Sequence, residues 1–202
     1  RRSDARPANP FATRYTRPGT LPPLDAHGHP LDLPALIARL RTLGAAALEG
    51  PHGHGKSTLL AALADALAAA GHPVTVLRVR ALGDVGAACR AVVAAPPGAA
   101  LLIDGWDRLG FLRLPLRFAA LVWRRILVVT RHRPGGLPVL WTCVTTPDVL
   151  RSIVARLPDH GGLIEDADIV AAYHRHGGNL RESLYELYDL VERRSTAAGA
   201  AV

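Results

Sequence analysis

Apolar positions along this chain repeat at two alternating periods, and each change of period marks an element. After Asp32, residues Leu33, Leu36, Ile37, Leu40 and Leu43 share one helical face, and Gly44 closes the segment. Asp32 has the short acceptor side chain of an N-cap. Ala45–Glu49 is a short apolar run, weak in β propensity because it is rich in alanine. Ser57 to Ala70 holds Leu and Ala without Pro or Gly and stops at Gly71, which predicts a helix. Pro73 to Val79 is β-branched and reads as a strand. A helix follows over Asp84 to Ala95, broken by Pro96-Pro97-Gly98. Ala99 to Ile103 is then a buried strand ending at Asp104. Residues 108–125 are expected to be helical in part, with Pro115 as a kink or break. Arg125 to Val129 and Val139 to Val144 are further strands, separated by the loop Arg133-Pro134-Gly135-Gly136.

Thr146-Pro147 is a cap followed by a first-turn proline, which opens a helix over 147–157. Glu165 to His176 is acidic at its start and basic at its end, as the helix dipole favours. The last helix starts at Asn179, with Glu182 as its capping partner. Leu180, Leu184, Leu187 and Val191 give it an apolar face. Strands alternating with helices call for an α/β fold with a parallel sheet and right-handed crossovers. Residues 1–30, rich in Pro, Arg, Gly and Thr, read as an extended or partly disordered arm, anchored at Asn9-Pro10-Phe11 and Tyr15. Residues 31–160 form the core and 161–202 a helical pair.

Composition adds limits. The chain is 49% hydrophobic but only 5% aromatic, so its core is expected to be aliphatic. The net charge of +7 raises the odds of an acidic partner, yet no run of basic residues marks a nucleic-acid tail. Cys89 and Cys143 lack metal or redox spacing and read as buried free thiols of a reducing compartment, which points to the cytoplasm. No 18-residue apolar segment appears, so no membrane association is expected. The chain opens on Arg and contains no methionine, so residue 1 is not read as a translation start.

The chemistry concentrates in Gly50-Pro51-His52-Gly53-His54-Gly55-Lys56-Ser57-Thr58, which fits G-x-x-x-x-G-K-[ST], the Walker A phosphate loop. Glycines let successive backbone N–H groups turn towards phosphate oxygens, and the following helix adds its positive N-terminal end. Lys56 suits the β- and γ-phosphates, and Ser57 suits Mg²⁺. Lys56 is the only lysine; the other 23 of the 24 basic residues are arginine. A compact ammonium between phosphates is not exchangeable with a planar guanidinium, whereas surface positions are. Leu101-Leu102-Ile103-Asp104 has the Walker B form, an apolar strand ending in a carboxylate for Mg²⁺. Asp107 either orients the attacking water or caps the next helix.

Asp104-Gly105-Trp106-Asp107 resembles the Walker B of NACHT-type NTPases of the STAND class. Val128-Val129-Thr130 with Arg133-Pro134 is similar to that class's sensor-1 strand and T-x-R-P ending, with one extra residue. Gly178-Asn179-Leu180-Arg181-Glu182 resembles the sensor-2 helix of AAA+ ATPases. Together these look like the ASCE division of P-loop NTPases in the AAA+/STAND neighbourhood, over about residues 32–194. The resemblance implies a three-layer α/β/α fold with a five-stranded parallel sheet in the order 5-1-4-3-2 and a small helical lid. It also implies ATP and Mg²⁺, with Arg133 or Arg181 reading the γ-phosphate; either arginine is otherwise simply exposed. The Glu that usually follows the Walker B Asp is replaced by Gly105, which implies slow hydrolysis. Ala81-Leu82-Gly83 stands where a pore loop would be.

The expected function is an ATPase or ATP-dependent switch acting on a protein partner or homo-oligomer. A P-loop kinase is the alternative, and DNA association is a possible addition. Arg124-Arg125 reads as a solvated helix end or an arginine finger, and His52 and His54 as exposed positions of the loop.

Overall fold

The computed structural model describes residues 9–16, 20–81, 83–122, 125–158 and 162–200. Residues 1–8 and 17–19 of the expected arm, Leu82, Arg124 and residues 201–202 lie outside the described residues. After a short helix α1 (Thr13–Thr16), the chain alternates α2 (Leu33–Leu43), β1 (Ala45–Glu49), α3 (Lys56–Ala69), β2 (Val74–Arg78), α4 (Gly83–Ala94) and β3 (Ala100–Asp104). A 3₁₀ helix (Trp106–Leu112) leads into α5 (Arg113–Val122), then β4 (Ile126–Arg131) and β5 (Val139–Thr142). Three helices end the chain: α6 (Pro147–Val154), α7 (Asp166–Arg175) and α8 (Leu180–Ala200).

The five strands are ordered β2-β3-β4-β1-β5 and all pairs are parallel, which is the expected 5-1-4-3-2 sheet read from the other edge. Strict alternation sends Ala46, Leu48, Leu102 and Val128 to one face, against α2 and α3. Ala45, Ala47, Leu101, Ile103, Leu127 and Val129 go to the other, against α4, the 3₁₀ helix and α5. Ala45–Glu49 is a strand despite its propensity because it lies between β4 and β5, where small side chains let helices close on both faces. The caps follow the sequence: Asp32 accepts from the Ala35 N–H at 3.0 Å, and Thr146 accepts from Val149 at 3.3 Å. Asn179 Oδ1 accepts from Arg181 and Glu182, but the Asn179 N–H donates to His176 O, so Glu182 does not return the bond.

Beside the sheet, α6, α7 and α8 share a third core with Phe11, which is 2% exposed. Asn9 fixes that contact by donating to Tyr188 O at 3.0 Å and Glu192 Oε1 at 2.8 Å. Leu21 and Leu24 pack on the same cluster.

Two expectations need correction. Arg125 is neither a solvated helix end nor a finger: it is 4% exposed and donates to the carbonyls of Val92, Val93, Ala95 and Pro96 at the end of α4. Val92 and Val93 lie in the last turn of α4 and Ala95 and Pro96 just after it, so these carbonyls have no helical donor and the guanidinium fork satisfies them. Cys89 is only half-buried, whereas Cys143 is buried and its thiol is pushed up to about 11 by loss of solvation. No helix among the described residues is long and apolar enough to cross a membrane.

Truncating a buried phenylalanine leaves a cavity that the surroundings close only in part. Phe11→Ala should therefore cost about 3–5 kcal/mol, read as a lower urea midpoint at unchanged slope. An unchanged midpoint would show that the segment is not part of the cooperative unit.

Candidate functional site

Parallel strands end together at one edge, and loops leaving that edge converge on a crevice. Here the crevice is a cleft of about 620 Å³ whose floor is the loop from His52 to Thr58. That volume is within the usual range for a small-molecule site. One wall comes from the ends of β2 and β3, with Arg78, Val79, Arg80, Asp104, Gly105 and Arg108. The other comes from Thr145 and from Leu180, Arg181 and Leu184 of α8. Thr16 and residues Leu21 to Leu24, expected only as part of an arm, line the cleft together with Trp141, Val149 and Ile153. Leu21, Leu24, Val149, Ile153, Leu180 and Leu184 of the lining belong to one apolar cluster, and the charged end is the stretch around Lys56 and Asp104.

At the charged end, Asp104 is the hub. Its Oδ2 accepts from Ser57 Oγ at 2.9 Å and its Oδ1 from Thr130 Oγ1 at 2.6 Å. Thr130 Oγ1 in turn accepts from the Gly105 N–H at 2.9 Å. Lys56 is 6% exposed, and its ammonium donates to the carbonyls of Gly50 and Pro51 at 2.6 Å each. Burial lowers its pKa, with Cys143, Asp104 and Asp107 opposing the shift.

His132 joins the site although the sequence did not single it out. Its Nδ1 lies 3.2 Å from both Lys56 Nζ and Gly50 O, and its ring stacks on His52 at 3.8 Å between centroids. Asp107 holds that segment from behind, accepting from the His132 N–H at 2.7 Å; it does not line the cleft. Arg131 is buried and bonds Glu49 Oε1 through Nε at 2.6 Å, tying the end of β4 to the end of β1. Arg133 is exposed and does not line the cleft, whereas Arg181 does. Gly50 and Pro51 contribute their carbonyls to Lys56 behind the cleft floor.

The turn before α8 touches the loop directly. Gly53 has φ +76°, and a Cβ there would lie 1.8 Å from Asn179 Oδ1. Thr145 Oγ1 donates to Gly178 O at 2.8 Å and Tyr173 donates to Thr145 O at 2.7 Å, while His54 Nδ1 lies 3.5 Å from Thr145 Oγ1. Gly105, at φ +93°, stands where the sequence resemblance expects a glutamate, and the backbone requires it: a Cβ there would collide with the Val79 carbonyl.

A serine hydroxyl and a carboxylate converging at one point are hard oxygen donors. Magnesium keeps most of its waters and needs few such protein ligands, so Ser57 and Asp104 fit it. Among the described residues there is no group of three or more His, Cys, Asp and Glu that could hold a metal ion.

The strand order and this loop define an α/β P-loop NTPase fold. Among solved structures it is similar to Thermotoga maritima RuvB, described as a Holliday junction branch migration motor, with a TM-score of 0.58 and 22% identity over 83% of this chain and 61% of that one. A substituted form of the same protein gives 0.60 and 23% over the same shares. C. elegans PCH-2 aligns at 0.42 with 12% identity over 80% of this chain and 68% of that one, a level that carries no weight. At these identities the likeness defines the fold, and the chain spans less than two thirds of the RuvB structures. No family model and no curated protein matches the sequence.

Two outcomes follow. Gly53→Ala should destabilise the chain by about 1–3 kcal/mol, and Asn179→Ala in the same chain should recover part of that loss; strictly additive effects would mean the contact is not made. Burial holds His54 below the ordinary imidazole value of 6.5, with the nearby Lys56 charge adding to the effect. The unfolded chain therefore binds the proton first as pH falls through 6.5, and stability should drop there. His54→Gln should flatten that part of the urea-midpoint profile.

Proposed function

We propose that this chain binds Mg-ATP and acts as an AAA+/STAND-type ATPase or ATP-dependent switch. The observation that carries the reading is the Ser57–Asp104–Thr130 network, set beside the buried Lys56 at the mouth of the P-loop. In this reading Ser57 and Asp104 hold Mg²⁺, which when bound neutralises charge on the β- and γ-phosphates. Loop N–H groups from Gly53 to Thr58 cradle the phosphates, and Lys56 exchanges its loop carbonyls for phosphate oxygens. The base packs against the apolar lining residues Leu21, Leu24, Val149 and Ile153. Residues 31–160 act as the core, 161–202 as the lid, and the N-terminal arm contributes part of the base pocket.

Arg181, which lines the cleft, is our choice for the γ-phosphate reader over Arg133, which lies outside it. Asp107 acts through the His132 segment as a positioning residue. With position 105 closed to any side chain, hydrolysis is slow, and the output is a lid movement passed to a protein partner or homo-oligomer. RuvB is described as a motor on a DNA junction; extending nucleic-acid work to this chain has no further support in the site. Free cysteines suit a reducing, cytoplasmic setting. The kinase alternative is disfavoured because β4 separates β1 from β3, whereas that division places them side by side.

Binding of a fluorescent ATP analogue tests the reading. Lys56→Ala should weaken it by about a hundredfold or more, and Asp104→Asn should remove its Mg²⁺ dependence. Phosphate release without any acceptor should be slow but measurable, and lower still in Asp107→Asn. Turnover that appears only with a phosphate acceptor would overturn the assignment in favour of a kinase.

A further inference from the structure

The cleft leaves one surface unexplained. The outer side of the 3₁₀ helix and α5 carries Phe111, Leu114, Phe118 and Leu121 at 85%, 73%, 70% and 41% exposure, with Val122 beside them. The inner side of α5 buries Leu116 and Ala120 against the sheet, so the helix is apolar on two sides. Globular surfaces rarely expose so many large apolar side chains together without a partner. Leu114, Pro115, Phe118 and Leu121 line a shallow groove of about 540 Å³. The spacing 111, 114, 118, 121 is three-four-three, the repeat by which one helix packs along another.

Charge identifies what lies opposite. No acidic residue occurs between Asp107 and Asp148. Arg117 lines the groove and donates to the carbonyl of Gly136, which holds its guanidinium in place without cancelling its charge. Arg113 donates to Gly110 O at 2.8 Å and reaches Asp107 only at 4.0 Å. The apolar stripe is thus flanked by arginines that still need anions. A second copy packed face to face would bring the same arginines together. A single nucleic-acid strand would satisfy the arginines and stack on Phe111 and Phe118, but it would leave Leu114, Leu121 and Val122 in water.

We propose that this face docks an amphipathic helix of another protein, apolar at three-four-three spacing and flanked by Asp or Glu. Such helix-in-groove contacts combine apolar anchors with a charged rim that sets orientation and specificity.

The test is selection on the full chain from a phage library of ~20-residue peptides that are random at flanking positions and apolar at i, i+3, i+7 and i+10. Selected peptides should be enriched in Asp and Glu at the flanks. Phe118→Glu should weaken their binding by about tenfold or more, as should Arg113→Glu with Arg117→Glu, the latter regained by a Lys-flanked peptide. Phe118 and Arg113 are exposed and Arg117 is half-buried, so an unchanged thermal midpoint in each variant checks that the fold is intact. Failure to enrich acidic flanks, or equal binding to Phe118→Glu, overturns the proposal. Self-association abolished by Phe118→Glu would overturn it in favour of a second copy. Salt-sensitive binding of oligothymidylate abolished by the same change would overturn it in favour of a nucleic-acid strand. None of these readouts depends on nucleotide, so the proposal stands or falls apart from the reading of the cleft.

Discussion

The position of β4 between the strand that feeds the P-loop and the strand that ends in Asp104 is the constraint on which the site depends. It separates Lys56 from Asp104 by one strand, and it supplies the bridge from β4 to the end of β3. Thr130 closes that bridge twice, with its hydroxyl hydrogen on Asp104 and its oxygen on the Gly105 N–H. One residue on, Arg131 reaches the other way to Glu49 at the end of β1. Successive residues of a strand point to opposite faces, so two neighbours in β4 can tie down both flanking strands at the level where the loops leave. Burying the Arg131–Glu49 pair costs solvation. Two further carbonyls on Arg131, those of Gly135 and Leu137, repay it.

The second layer of order comes from the helical unit. Asn179 sits against Gly53, and Thr145 links the chain after β5 to the turn before α8. These contacts are short-range and polar, so a change of a few tenths of an ångström in the loop is felt at the start of a long helix. The helical unit is also held from outside the sheet, by Asn9 and Phe11 on α8. The cleft is therefore bounded by segments far apart in the chain.

Much of this could be read from the sequence wherever the cause was local. Gly, Lys and Ser at fixed spacing specify the loop because the backbone needs those residues at those places. The apolar run before Asp104 specifies a buried strand for the same reason, and the sheet order followed from the resemblance those motifs carried. What stayed hidden was non-local. The extra residue after Thr130 drew attention to Arg133, yet β4 continues through Arg131 and presents His132 to Lys56 instead. Arg125 looked like a solvated helix end because nothing in its neighbourhood shows that the carbonyls of α4 are waiting for it. Leu21 to Leu24 carry no periodicity; only the folded chain brings them to the cleft. Gly105 looked like a lost catalytic group, and its close approach to Val79 shows a backbone requirement.

The lone lysine has a practical meaning as well. Because Lys56 is the only lysine and is buried with a lowered pKa, the chain carries its one side-chain primary amine on the floor of the cleft. Isotope labelling of lysine places a single spectroscopic reporter there, with no assignment problem. An amine-directed reagent small enough to enter likewise finds one side-chain target. In most P-loop proteins the catalytic lysine is one signal among many; here the composition of the chain has already isolated it.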